Sequence, residues 1–447
     1  MTVKRSVVAE PVASIEPVQR AWNYPLFDAI FQRRARRFPL GAQMPGAVAP
    51  FKSTKEPIPL DEIEEAMLVM AGTGISGTNL SDLPFNDQNG SNFCGNTMIQ
   101  FVGRVYASAC GSHGTELFFT NDEGTYLVSL RDKLPSAMQE FASLDDREKI
   151  VHAFRANTVQ VKPGRLDVPM VAGITQPFNW WNANQPGATL FMPVSDVTWE
   201  YINVLMLVMD EPNSYYIYDD LNGNAEPLKE WADKGYLDRA RAYPLSNLES
   251  AMQMVIPGTE QAIMLQNMYL ALQAMGLGGW IFSSSVGPMI MGLMGFRFHI
   301  PGKVGPIKPL DPAAAPLPVP VGLDGHFEAY CPPYYSDMSA AVQAVFDAKW
   351  GSAGIYKEEG GPAPYKDRQS LDRVVQKTPQ WCLEATKALT SYVWDTYGRF
   401  PATIDPMMMN IWFQAHHLET EFYDRYYRPG AYHEAVRRHM EVWHGAR

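Results

Sequence analysis

Four guanidiniums crowd into FQRRARRFP (31–39). Arg33, Arg34, Arg36 and Arg37 close an amphipathic pattern, LFDAIFQRRARRF (26–38), which reads as a helix ending in a basic cluster. Several arginines at a helix end can grip a phosphate through charge-assisted, bidentate contacts. The plainer reading is a solvated basic terminus. A second stretch, GRVYASACGSHGTELFF (103–119), strings together Ser108, Ala109, Cys110 and Gly111, with His113 and Glu116 after them. Small residues let a backbone approach a flat ring and donate hydrogen bonds to it. They are equally ordinary in a core, and His113 can be a satisfied turn histidine. Cys110 has no cationic sequence neighbour to make it a thiolate, so it is not read as a nucleophile.

The third stretch is IPGTEQAIMLQNMYLALQAMGLGGW (256–280), which opens a run without charge from Gln261 to Phe296. A membrane span needs ~20 predominantly apolar residues. Gln266, Asn267, Gln273, the serines 283–285 and Pro288 weaken that reading, and no second span or basic flank supports it. A helix apolar on nearly every face, stopped at Gly276, belongs in a large core or a subunit interface. A fourth set, QAHHLETEFYDRYY (414–427), would place His417 and Glu421 on one helix face, with Asp424 a turn further. Histidine with carboxylates can bind a divalent metal, but a polar interface with buried aromatics is the commoner outcome, and no metal is expected.

The elements that must carry these residues follow from pattern. LDEIEEAMLVMAGTG (60–74) is a helix with Asp61, Glu62, Glu64 and Glu65 at its positive end. TELFFTND (115–122) and GTYLVSL (124–130) form a β-hairpin across a short connection. Residues 75–100 are a long loop, and a charged helix follows near 135–157. ATLFMPVSD (188–196) and NSYYIYDD (213–220) are strands, with WEYINVLMLVMDE helical or a buried strand between them. PIKPLDPAAAPLPVPVGLDG (306–325) is a proline-rich arm, and Ser336 or Asp337 caps the next helix. Residues 1–20 are a flexible arm, and 367–447 a helical, aromatic-rich extension.

The chain has 447 residues, 46% hydrophobic and 19% charged, with net charge −11. That length supports a sizeable core and two or three domains. The negative balance argues against nucleic acid but leaves room for a small phosphorylated ligand in a local cationic pocket. The four scattered cysteines include no C-x-x-C pair, which excludes a disulfide scaffold and a cysteine-rich zinc site. Glu10, Glu16 and two prolines break any signal-peptide core, so the cytoplasm is expected.

Taken together, the first three stretches resemble the nitroreductase-like flavoproteins, and within them the branch of azoline-oxidising peptide dehydrogenases. FQRRARRFP resembles an opening R-R-S-x-R-x-F element that holds the FMN phosphate, aligned on Phe38, with Arg36 on the second arginine and Arg34 in place of the serine. GRVYASACGSHGTELFF resembles R-T-x-P-S-A-G-A-x-H-P-x-E-L-Y, with Ser108, Ala109, Cys110 and Gly111 along the flavin ring and His113 and Glu116 matching. Ala107 and Gly114 replace prolines, and Gly111 stands where nitroreductases proper carry asparagine. The central stretch resembles D-x-x-x-A-x-Q-N-x-x-L-A-A-x-x-L-G-L-G, with Glu260 for the aspartate and Gln266, Asn267, Leu270, Ala271 and Leu277 in place.

The resemblance covers roughly residues 25–345. It implies an α+β, nitroreductase-like fold over residues 21–350, with a central mixed or antiparallel sheet flanked by helices and inserts around 160–250. It also implies a homodimer with the central helix at its interface. The implied FMN site comprises Arg33, Arg34, Arg36, Ser108, Ala109, Cys110, Gly111, His113, Pro257, Gly258, Thr259, Gln266, Gly278 and Gly279. The implied activity is an oxidoreductase whose flavin is reduced by NAD(P)H and reoxidised by an electron-poor small-molecule or peptide substrate, or which oxidises its substrate directly. A flavin-binding, storage or interaction protein without turnover is the alternative. No P-loop or G-x-S-x-G pattern competes.

Overall fold

Alternation along the strands decides the architecture. Leu117 and Phe119 point to one buried cluster and Phe118 to another; Phe191 is set apart from Leu190 and Met192, and Phe413 and Ala415 from Trp412, in the same way. A period of two with both faces apolar demands a sheet covered on both sides. The computed structural model describes residues 16–44, 46, 48–79, 102–131, 147–172, 174–283, 287–299, 319–357, 377–404 and 411–445. Within them lies a seven-stranded sheet, formed by β1 (Thr115–Thr120), β2 (Gly124–Val128), β3 (Thr158–Pro163), β4 (Thr189–Asp196), β5 (Gly278–Ser283), β6 (Thr403–Ile404) and β7 (Ile411–His416). The order is β5-β7-β4-β1-β2-β3, with β6 also on β4, and every pairing is antiparallel. The expected hairpin is β1–β2, with Thr120 opposite Thr125.

One face of the sheet carries α1 (Glu62–Thr73) and the central helix α3 (Ile256–Met275). Asp61 and Glu64 form a capping box on α1 (each side chain accepts from the other's backbone N–H), which fixes where this acidic start sits. Helix α3 ends where Gly276 takes φ +82°, the left-handed stop its sequence suggests. A separate apolar cluster joins α2 (Thr198–Met209), α4 (Met338–Trp350) and α5 (Gln380–Tyr397). Asp337 caps α4 by accepting from the Ala340 amide. The fold is thus α+β. No helix among the described residues is long and apolar enough to cross a membrane.

Several expectations need correction. The basic helix stops at Gln32, because Arg33 is already extended and Arg36 bridges to Gly279. Residues 16–20 of the expected flexible arm belong to a helix, Glu16–Trp22, with Pro17, Val18 and Ala21 buried; the remaining residues of that arm lie outside the described set. The 367–447 extension is not all helix, since β7 inserts between β5 and β4. His417 therefore follows a strand, and Glu421 is exposed on the separate helix Thr420–Tyr426, so the two share no helix face. Most of the 75–100 loop, residues 135–146 and residues 306–318 of the proline arm lie outside the described set.

Candidate functional site

The small-residue loop is pinned at both ends. Arg104 is buried, donates to the Thr73 carbonyl at 3.1 Å and pairs with Glu116 at 2.9 Å. On the far side, Glu260 of α3 accepts from the Ser112 hydroxyl at 2.6 Å and the Thr115 hydroxyl at 2.7 Å. Both hydroxyls and the carboxylate are buried, so the loop is held by charge-assisted bonds that water cannot replace. Within it the Ser112 amide donates to Ser108 Oγ at 3.0 Å, and the Gly111 amide to the Ser108 carbonyl at 3.4 Å. Ala109 and Cys110 are left facing outward.

Burial dominates the electrostatics around this loop. Burial and then Glu260 push the Glu200 carboxyl up to about 9, so it holds its proton at neutral pH. Burial, Glu200 and Glu260 push the Cys110 thiol up to about 11, the opposite of an activated nucleophile. Burial and Arg104 push His113 down to about 4; it is a neutral ring with backbone φ +42°. Glu200 was not singled out from sequence. It sits inside an apolar helix pattern, and only the packing of α2 brings it to Glu260.

The arginines divide. Arg36 is 2% exposed, and its guanidinium donates to Gln273 Oε1 at 2.8 Å, the Ala431 carbonyl at 3.1 Å and the Gln32 carbonyl at 3.3 Å. Its donors serve protein acceptors, so it does not fit the phosphate role the resemblance gives it. Arg33 is half-buried with its guanidinium 4.8 Å from the centre of the Tyr269 ring, and Arg34 is exposed. Arg37, to which the resemblance assigns no role, lies 5.1 Å from the Trp280 ring and donates to Asn179 Oδ1. Arg34 and Arg37 line a cleft of about 450 Å³ with Trp181, Tyr423 and Tyr427, a volume in the range of ligand pockets.

The remaining positions have local reasons of their own. Pro257, Gly258 and Thr259 form the first turn of α3 rather than a loop before it, and Thr259 Oγ1 donates to the Val255 carbonyl at 2.6 Å. Gln266 is half-buried, and Asn267 beside it donates to the Val105 carbonyl at 3.1 Å, tying α3 to the small-residue loop. Gly278 and Gly279 are buried in β5; a Cβ on Gly279 would lie 2.3 Å from the Gln414 carbonyl oxygen. Close strand packing, not a ring, accounts for those two glycines. Glu260 and Gln273, the anchors of the loop and of Arg36, are thirteen residues apart on α3, roughly 20 Å at 1.5 Å per residue. The structure brings the arginine segment and the small-residue loop to this one helix, but to opposite ends of it.

No family model and no curated protein matches this sequence. Among solved structures, a protein from Ralstonia eutropha JMP134 described as a nitroreductase aligns over 66% of this chain and 88% of its own, at 13% identity and a TM-score of 0.28. A score that low establishes neither fold nor activity.

Proposed function

We propose that the chain is an FMN-dependent oxidoreductase of the nitroreductase-like kind, acting as a homodimer in the cytoplasm. One observation supports it above the others: two stretches far apart in sequence that resemble flavin-binding elements both attach to the third, α3. Arg33 packs on Tyr269, Arg36 binds Gln273, and the 108–115 loop hangs from Glu260.

Arg34 would hold the phosphate, with Arg37 beside it in the aromatic cleft and Arg33 contributing from its place on Tyr269, while Arg36 stiffens the segment beneath. Ala109 and Cys110, outward-facing in the anchored loop, would lie along the ring of a flavin whose phosphate the other subunit holds, because the arginines and this loop of one chain hang from opposite ends of α3. Bound flavin would supply two-electron redox chemistry, with a nicotinamide donor and an electron-poor small molecule or peptide as partners. The chain's own part is to fix that loop, exclude water behind it, and keep a proton on Glu200 beside Ser112.

Dimerisation is supported by what α3 leaves uncovered. Ala262, Ile263, Gln266, Asn267, Leu270, Ala271 and Ala274 form a partly exposed stripe at helical spacing. Nearby on the helix Leu26–Gln32, which packs against α3, Phe27 is 71% and Phe31 73% exposed. Apolar surface of this kind marks an interface.

Binding without turnover is the second reading. The Gly111 and Ser112 amides turn inward to Ser108, which removes two donors from any ring. Anaerobic addition of NADH or NADPH to the flavin-loaded protein separates the two. Bleaching supports the enzyme, and lasting yellow colour with both donors favours sequestration.

A further inference from the structure

A cluster remote from the small-residue loop carries a different chemistry. The ring nitrogens of His417, His439 and His444 and a carboxylate oxygen of Glu64 all lie within 4.8 Å of one another. Nε2 of His439 is 2.7 Å from Glu64 Oε1, that of His417 3.1 Å and that of His444 3.2 Å, and the Nε2 atoms of His417 and His444 are 3.1 Å apart. Glu64, His417 and His439 are buried, and the His444 side chain is 12% exposed.

The outer bonds of these residues fix which atoms face inward. His417 Nδ1 lies 2.8 Å from the Ile58 carbonyl oxygen, and His439 Nδ1 lies 2.9 Å from that of Met275. A carbonyl oxygen only accepts, so both Nδ1 atoms carry protons, and a neutral imidazole then presents a lone pair at Nε2. Those lone pairs point at a carboxylate oxygen, which is itself an acceptor. Glu64 Oε2 is meanwhile engaged by the Asp61 amide at 2.7 Å, which leaves Oε1 for the cluster. Acceptors converge on one buried point, and two ring nitrogens touch. Without a cation, this arrangement needs several imidazoliums packed around a single carboxylate oxygen.

We propose that Glu64, His417, His439 and His444 bind one divalent transition metal, zinc in the first instance. Zinc takes histidine nitrogen at about 2.0–2.1 Å and carboxylate oxygen at about 2.0–2.2 Å, which sets tetrahedral ligands about 3.3 Å apart, close to the spacing here. Histidines that donate Nδ1–H to backbone carbonyls are the usual outer support of such a site. Three imidazoles and one carboxylate, with no thiolate, suit zinc over the harder cations magnesium and calcium. Four protein ligands close the coordination sphere, so the role is structural. The ion fastens the end of β7 and the helix His439–His444 to the start of α1, beside the last turn of α3. This inference does not depend on the flavin reading.

The test uses the untagged full-length protein, purified without chelator and analysed by elemental mass spectrometry. About one zinc per chain is expected, as for a closed structural site. Stripping with dipicolinate should lower the melting temperature, and zinc, but not magnesium, should restore it. His444→Gln, the most exposed ligand, should cut zinc content well below the wild-type value, and cobalt in place of zinc should give the visible bands of a tetrahedral ion. If a variant fails to fold, the wild-type strip-and-restore melt decides. A protein that purifies without transition metal and whose melting does not respond to added zinc overturns the proposal. So does undiminished zinc in folded His444→Gln and His439→Gln variants.

Discussion

Arg36 Nη1 donates to Gln273 Oε1 at 2.8 Å inside the core, joining the arginine segment to the central helix. Burial lowers the pKa of this guanidinium from its ordinary value, and its hydrogen bonds to Gln273, Ala431 and Gln32 stand in for the water it has lost. An arginine so placed contributes stability rather than ligand affinity. Arg36→Ala should therefore destabilise the protein by ~2–3 kcal/mol in urea unfolding, because it strands buried acceptors. Arg34→Ala, at an exposed position, should leave stability unchanged and weaken FMN binding roughly tenfold. The reverse assignment of effects would contradict this division of labour.

The Glu260 carboxylate bears two short hydroxyl bonds, at 2.6 and 2.7 Å. Glu260→Ala should cost ~2–3 kcal/mol and loosen the small-residue loop, seen as faster amide exchange at Ser108–Thr115. Glu260→Gln, which keeps the shape and one acceptor, should recover part of the stability. A loop equally protected in both variants would show that other contacts hold it.

How much of this was legible in the sequence varied with the range of the contacts. The β1–β2 hairpin and α3 were readable, because a short turn and a glycine stop are local signals. The extended Arg36 was not, since its partners lie 237 and 395 residues away in sequence. Likewise β7 reads as helix, because its closing histidines and the acidic residues after them mimic a polar helix face. Only its pairing with β4 and β5 reveals the strand. Glu64 and the three histidines were invisible as a group for the same reason, being spread over 380 positions.

Glu200 gives the stability a pH dependence. Its native value is raised to about 9 from 4.5, so the native state binds more protons than the unfolded chain between those limits. Its contribution is fully present below about pH 4.5 and is lost as pH rises through about 9. Glu200→Gln should raise the melting temperature more at about pH 8 than at about pH 5, flattening the profile. A pH-independent gain would assign the effect to packing instead.

Gly279 permits the approach of β7, where a Cβ would lie 2.3 Å from the Gln414 carbonyl oxygen. Gly279→Ala should cost about 1–3 kcal/mol through overpacking of the strand pair. It should also disturb the Arg36 bridge, whose amide donates to the Gly279 carbonyl at 3.2 Å. Unchanged urea unfolding would show that the strands have room to part.

Phe27 and Phe31, 71% and 73% exposed, lie on the helix Leu26–Gln32, which packs against α3. Phe27→Asp with Phe31→Asp should shift sedimentation toward monomer, raising the dimer dissociation constant at least roughly tenfold, as for buried aromatic anchors. A wild-type protein that sediments as a flavin-loaded monomer at micromolar concentration would contradict the dimer.

The central claim is that this chain binds FMN and turns it over. The most direct measurement is the visible spectrum of the purified protein, or of the protein reconstituted with FMN, followed during anaerobic titration with NADH and then NADPH. The expected result is a bound yellow chromophore, about one per chain, bleached by at least one donor and restored by a quinone or nitroaromatic. A folded, colourless protein that takes up no FMN would contradict the account.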